Sequence, residues 1–323
     1  MKEYLETIFM EMPAHTIEQL NLDYDYISDE IEEKFSTING LEDCFALQKL
    51  IISHHEISDI QGLEENIHLQ YLDLSHNFIR YIENINHLEN LKYLNLSFND
   101  IRKIENIHTL RNLTYLDIGH NKIKIIENMS NLTQLKTLIL SGNKVISTLQ
   151  GLENLVNLEN LYLKQCKITD WSGLKYLTQL QELYVTPTQI ADMYEALKTL
   201  PQLRYLHISN RDLQKIDRIP HIPGLKKLTI TNCAFVQFIT GLEENPQLIE
   251  LEVSNNTLLE LSGIKHLSVL QYLDARNNNL RVISPDSLPQ KIKKLRLSGN
   301  PLTPDTVQTL QSWAKERQIA LEI

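Results

Sequence analysis

From Leu69 onward the apolar positions of the chain return at a fixed interval. Leu69, Leu72, Leu74, Ile79 and Ile82 reappear 22 residues later as Leu91, Leu94, Leu96, Ile101 and Ile104, and again as Leu113, Leu116, Ile118, Ile123 and Ile126. An asparagine stands inside each set: Asn77, Asn99, Asn121. With the first leucine as position 1, units begin at Ile17, Leu47, Leu69, Leu91, Leu113, Leu135, Leu158, Leu180, Leu203, Leu225, Leu248, Leu270 and Ile292. That makes thirteen units, 22 or 23 residues apart after a first interval of 30. Positions 4 and 6, separated by one residue, point to the same side of a short strand. One such unit cannot close a core alone, but stacked neighbours can. The pattern therefore predicts an α/β solenoid with parallel strands side by side along a concave rim. It reads as a single domain over 1–323, with an N-terminal helical cap (1–16), repeats (17–302) and a C-terminal cap (303–323).

Departures from the period predict the remaining elements. Leu5, Ile8, Phe9 and Met12 follow helical spacing and are expected to cover the first unit. The long first interval predicts an inserted helix over Ser28 to Ser36, with Asp29 and Glu32 as a capping pair. Thr303 and Pro304 read as N-cap and first residue of a final helix. Val307, Leu310 and Trp313 fall on its inner face, and Ile319, Leu321 and Ile323 predict a closing strand. Position 9 carries His55, Asn77, Asn99, Asn121, Asn143, Cys166, Thr188, Arg211, Cys233, Asn256, Asn278 and Asn300. Small polar groups there are expected to satisfy buried backbone between units. Arg211 does not suit that role, so an irregular middle is expected between Thr188 and Cys233.

Positions 3, 5, 7 and 8 escape the core, and reading them as columns maps the concave face. Position 3 gives Tyr71, Tyr93 and Tyr115; position 5 gives Asp73, Asn95 and Asp117; position 8 gives His54, His76, Phe98 and His120. Aromatic side chains with hydrogen-bonding neighbours are the mixture enriched at interface hot spots. A second aromatic group comprises Tyr162, Tyr184, Tyr205 and His207. Further on, Glu252 and Asp274 are like-charged neighbours that need neutralising, for which Arg276 and Arg296 are at hand.

Composition narrows the function. The net charge of −10 argues against a nucleic-acid surface. No segment reaches the ~18 apolar residues of a membrane span, and the start of the chain does not read as a signal peptide. Cys44, Cys166 and Cys233 are read as buried and unbridged, which favours a reducing, cytoplasmic setting. The five Asn-x-Ser/Thr sequons at Asn95, Asn112, Asn128, Asn131 and Asn255 follow from the repeat itself. His54 and His76 could share an ion, but no carboxylate or cysteine spacing completes a ligand set, so neither metal nor cofactor is expected. Phosphate-binding glycine loops, zinc-protease helices and nucleophile elbows are absent from the sequence. The chain is not expected to be an enzyme.

The unit running from Leu91 to Ile107 resembles the 22-residue class of leucine-rich repeat. That class is typified by the leucine-rich regulatory subunit of type-1 protein phosphatase, and it is also similar to the internalin repeats of bacterial surface proteins. The resemblance implies a right-handed superhelix and a non-enzymatic scaffold, here a monomer, gripping a protein partner on its concave face. Phosphatase regulation and internalin-like recognition at a cell surface are the alternatives it carries. In the phosphatase regulator the contacts come largely from position 5, which here reads Asp73, Asn95, Asp117, Ile139, Tyr162, Tyr184, His207, Thr229, Glu252, Asp274 and Arg296. Acidic and aromatic residues do not alternate along it.

Overall fold

Each unit contributes a strand of three or four residues at positions 3 to 6, because only there do inward leucines alternate with outward side chains. The computed structural model describes residues 1–29, 31 and 33–323. They form two compact units, Met1–Lys167 and Ile168–Ile323.

The first unit opens with α1 (Lys2–Glu11), whose Leu5 is fully buried. Met12, expected on the same face, is instead half exposed beyond the helix end, where the backbone has turned extended. Seven strands follow: β1 (Gln19–Asn21), β2 (Lys49–Ile51), β3 (Tyr71–Asp73), β4 (Tyr93–Asn95), β5 (Tyr115–Asp117), β6 (Thr137–Ile139) and β7 (Asn160–Leu163). Each pairs with the next in parallel, and equivalent positions face one another, as in Tyr71↔Tyr93↔Tyr115 and Asp73↔Asn95↔Asp117. Leu72, Leu94, Leu116 and Leu138 line the core side with no exposure. The helix within the long first interval lies earlier than expected, as α2 (Tyr24–Ile27), and residues 28, 29, 31 and 33–36 are not helical. Its cap is Asp23, which accepts from the Asp25 N–H at 2.9 Å. Glu32, half of the expected capping pair, lies outside the described residues.

Position 9 holds these repeats together. Asn99 is buried, donates to the carbonyls of Leu74 (2.9 Å), Leu96 (3.1 Å) and Ser97 (3.2 Å), and accepts from the Ile79 N–H at 2.9 Å. Asn77, Asn121 and Asn143 repeat this bridge. His55 spans the wider first interval in the same way, with Nδ1 accepting from Phe35 and Nε2 donating to the Leu22 carbonyl at 2.6 Å. Burial and these bonds fix it as the neutral ring, its pKa lowered chiefly by desolvation. A second row, which the sequence reading passed over, sits at position 16: Asn84, Asn106 and Asn128 donate to the carbonyls of Ile60, Ile82 and Ile104. Four of the five sequon amides, Asn95, Asn112, Asn128 and Asn131, are engaged as hydrogen-bond donors.

The second unit carries β8 (Glu182–Val185), β9 (Tyr205–Ile208), β10 (Lys227–Ile230), β11 (Glu250–Glu252), β12 (Tyr272–Asp274), β13 (Lys294–Arg296) and β14 (Ala320–Glu322), again parallel neighbours in order. It is irregular after β8, where a short 3-10 turn runs into α3 (Tyr194–Leu197). Thr188 and Arg211 are exposed and make no rung. Asn210 donates to the Pro187 carbonyl at 2.8 Å, so the rung moves back one residue. Asn256, Asn278 and Asn300 restore the regular pattern. The final helix α4 (Pro304–Arg317) is capped by Thr303 and buries Leu310 and Ala314. Gln318 turns left-handed to end it, and β14 then pairs with β13. Among the described residues no helix is long and apolar enough to cross a membrane.

Candidate partner-binding face

The outward face of the first unit is organised by backbone geometry at position 8. His54, His76, Phe98 and His120 all have positive φ, between 52° and 63°. Equivalent positions elsewhere hold Gly142, Gln165, Asn232, Asn255, Asn277 and Gly299, also at positive φ. Glycine and asparagine accept that conformation readily, whereas a bulky side chain raises the energy by roughly 1–2 kcal/mol. The four rings stack in sequence, each 4.1 Å from the next, with interplanar angles of 17°, 11° and 6°. Phe98 remains 44% exposed although it has a ring on either side. Burial, the first cause for each, lowers the pKa of His76 and His120, which favours neutral stacked rings.

A second stack runs along position 3. Tyr71 and Tyr93 lie 3.9 Å apart at 3°, Tyr93 and Tyr115 4.3 Å apart at 8°. Lys49 covers the outer ring, its Nζ 4.8 Å from the Tyr71 centroid. Position 5 lies between the two stacks along each strand, so Asp73, Asn95 and Asp117 form a polar floor. Asp73 is well served: Ser75 donates twice to Oδ1, and Asn95 donates to Oδ2 at 3.0 Å. Asp117 accepts from the Gly119 N–H at 2.8 Å. Neither carboxylate has a Lys or Arg within ion-pair reach among the described residues. Burial, and to a lesser degree the charge of Asp73, pushes the Asp117 carboxyl up to about 6 against the Gly119 hydrogen bond.

The sequence reading missed Asp23 and Asp25. Counted from Ile17, Asp23 occupies position 7, the column of Ser53, and that count is the signal that could have found it. Asp23 accepts from Ser53 Oγ and sits 3.2 Å from His54 Nδ1, while Asp25 lies 3.9 Å from Nε2. The three side chains offer ligand atoms within 4.8 Å of one another. Both Asp23 oxygens are already engaged, by Ser53, His54 and the α2 N–H, so the arrangement reads first as a helix cap. An open groove of about 580 Å³ adjoins it, lined in part by Asp25, Asp73 and His76. Buried thiols complete the picture: Cys44 is pushed up to about 11 and Cys166 to about 12, in each case mainly by desolvation, which makes them poor nucleophiles.

The remaining site residues of the sequence reading lie elsewhere. Tyr162 ends the position-5 column of the first unit, half-buried. In the second unit Tyr184 meets Tyr205 edge-on at 5.1 Å and His207 at 5.5 Å. Glu252 and Asp274 are register partners, as the columns require. Asp274, however, is only 1% exposed. Arg276 grips it through Nε at 2.9 and 3.0 Å and Nη2 at 2.7 Å, and Arg296 stands 3.6 Å away. Burial pushes this carboxyl up, but the Arg276 contacts outweigh it and hold the pKa below the usual value.

Profiles of leucine-rich repeats match residues 67–108, 89–128, 111–154 and 269–290. The chain is built of leucine-rich repeats. A comparison with curated proteins finds no match. Among solved structures, an internalin (inlF) from Listeria monocytogenes is 25% identical with a TM-score of 0.69, over 87% of this chain and 81% of that one. The functional domain of InlJ from the same organism gives 21% and 0.62, over 90% of this chain and 60% of that one. The mouse RP105/MD-1 complex gives 23% and 0.67, over 89% and 52%. Their likeness is one of fold, and leucine-rich repeats of this kind present extended recognition surfaces.

Proposed function

We propose that the protein is a non-enzymatic adaptor that binds a protein partner on the outward face of the first unit. Tyr71, Tyr93, Tyr115, His76, Phe98 and His120 anchor that partner, and Asp73, Asn95 and Asp117 orient it. One observation carries the reading. Four aromatic rings occupy a left-handed backbone position that five other repeats give to glycine or asparagine and one gives to Gln165. Strain kept where a cheaper residue is available in the same fold points to a role beyond packing. We place the adaptor in the cytoplasm on the strength of three buried, unbridged cysteines, and take it to be a monomer; fractionation of the native source and sedimentation of the pure protein test the two statements. For the face itself, the experiment is affinity capture with the full chain, comparing Tyr93→Ala with Phe98→Ala against the unaltered protein. The double variant is expected to keep its fold and lose at least about 2 kcal/mol of partner affinity. Undiminished capture would move the interface elsewhere.

A further inference from the structure

The same strand triplet, Tyr-Leu-Asp, occurs three times at positions 3 to 5: in β3, β5 and β12. In β12 the protein shows what this triplet holds. Arg276 forks onto Asp274, while Arg296 donates to the Tyr272 hydroxyl at 3.0 Å with its guanidinium 5.8 Å from that ring. Arg296 comes from the register partner of Asp274 on β13, and Arg276 from two residues along the same chain. In β5 those two places are taken by Ile139, the register partner of Asp117 on β6, and by Gly119. The tyrosine and carboxylate are retained, and both guanidinium groups are gone. In β3 the places fall to Asn95 and Ser75, whose neutral donors occupy Asp73 instead.

We propose that Tyr115 and Asp117 on β5 form a receptor for an arginine side chain of the protein partner, filling the role that Arg276 and Arg296 fill at β12. This rests on the proposed partner-binding role of the face and deepens it. The charge complement is specific: a half-buried carboxylate with one backbone donor, beside a stacked tyrosine, suits a planar guanidinium that can donate along one edge and lie against a ring. The stack already takes a cation at its far end, where Lys49 covers Tyr71.

The test uses synthetic 12-residue peptides with randomised flanks and arginine, citrulline or glutamate at the centre, passed over the immobilised full chain at pH 7.5. Citrulline keeps the shape and removes the charge. Arginine peptides are expected to be retained about tenfold more strongly than their citrulline twins. Two variants should erase that preference. Asp117→Asn copies the arrangement Asn95 makes one repeat earlier, where its Oδ1 accepts from the Ser97 N–H, so the fold is kept. Ile139→Arg reproduces Arg296 in the same register and fills the receptor from within. Equal retention of arginine and citrulline peptides, no retention at all, or a preference that survives both variants would overturn the assignment. Retention that ignores arginine yet disappears with Tyr93→Ala and Phe98→Ala would overturn it while leaving the aromatic face standing. Retention indifferent to every variant would remove both.

Discussion

At the scale of the residue, position 8 separates what a side chain does from what its backbone tolerates. Phe98 gains contact from His76 and His120, each 4.1 Å away, and loses energy to a φ of 54°. Phe98→Ala gives up the stacking and keeps the strain. Phe98→Asn gives up the same stacking but relieves the strain, as Asn255 and Asn277 do in their own repeats. The asparagine variant should therefore be the more stable of the two by about 1 kcal/mol, read from paired urea-unfolding curves. Equal stabilities, or a more stable alanine variant, would mean that the backbone there is unstrained. Both variants should bind the partner equally poorly, because the ring is what the partner meets.

At the scale of the element, the strength of the array lies in its rungs. Asn99 makes four hydrogen bonds in a buried site and ties two successive repeats together. Asn99→Ala leaves one N–H and several carbonyls without partners, so a loss of about 3 kcal/mol or more is expected. Asn300 makes the same kind of bonds at the last rung, but it is half-buried and water can replace some of them. Asn300→Ala should cost about half as much, and thermal unfolding of the two variants side by side measures the ratio. These rungs were legible in the sequence because the period is strict: equivalent positions must stack, and an asparagine at a fixed step from two inward leucines can only face the turn below. The same logic placed the tyrosine column and the position-5 floor. It failed where the period stretches. The 30-residue first interval hid both the true position of α2 and the approach of Asp23 and Asp25 to His54, because no neighbouring unit supplied a template. At Arg211 the pattern announced a break but not its solution, since a one-residue shift to Asn210 is decided by backbone that the period does not describe. The left-handed turn at position 8 was readable from Gly142, Asn255 and Asn277, but aromatic residues at the same position masked the signal.

At the scale of the whole molecule, a net charge of −10 is distributed in two different ways. In the second unit three carboxylates on the sheet are matched from within: Glu250 by Lys227, Asp274 by Arg276 and Glu322 by Arg296. In the first, Asp117 is held without a cation, and its carboxyl titrates near 6, whereas an unfolded aspartate titrates near 3.8. The folded protein therefore binds the extra proton between those values, and the sign follows from linkage. The buried Asp117 carboxyl therefore costs the fold little below about pH 4, costs progressively more as pH rises toward 6, and is a full deficit at neutrality. A shift of this size corresponds to at most about 3 kcal/mol; for a half-exposed group, solvent screening leaves about 1–2 kcal/mol. Asp117→Asn should thus be more stable than the unaltered chain by that amount at pH 7.5 and equal to it at pH 4. Asp274 carries the opposite sign. Its pKa is lowered, so its contribution is present above about 3.8 and is lost as pH falls through the folded value. Asp274→Asn should destabilise the protein at pH 7.5, because it leaves Arg276 and Arg296 without their counter-charge. Unfolding curves at the two pH values decide the matter: two variants of the same triplet moving in the same direction at neutral pH would show that β5 and β12 do not differ in compensation. Opposite movements would show that Asp117 is kept ionised at a cost to the fold, which is the condition a partner's arginine relieves.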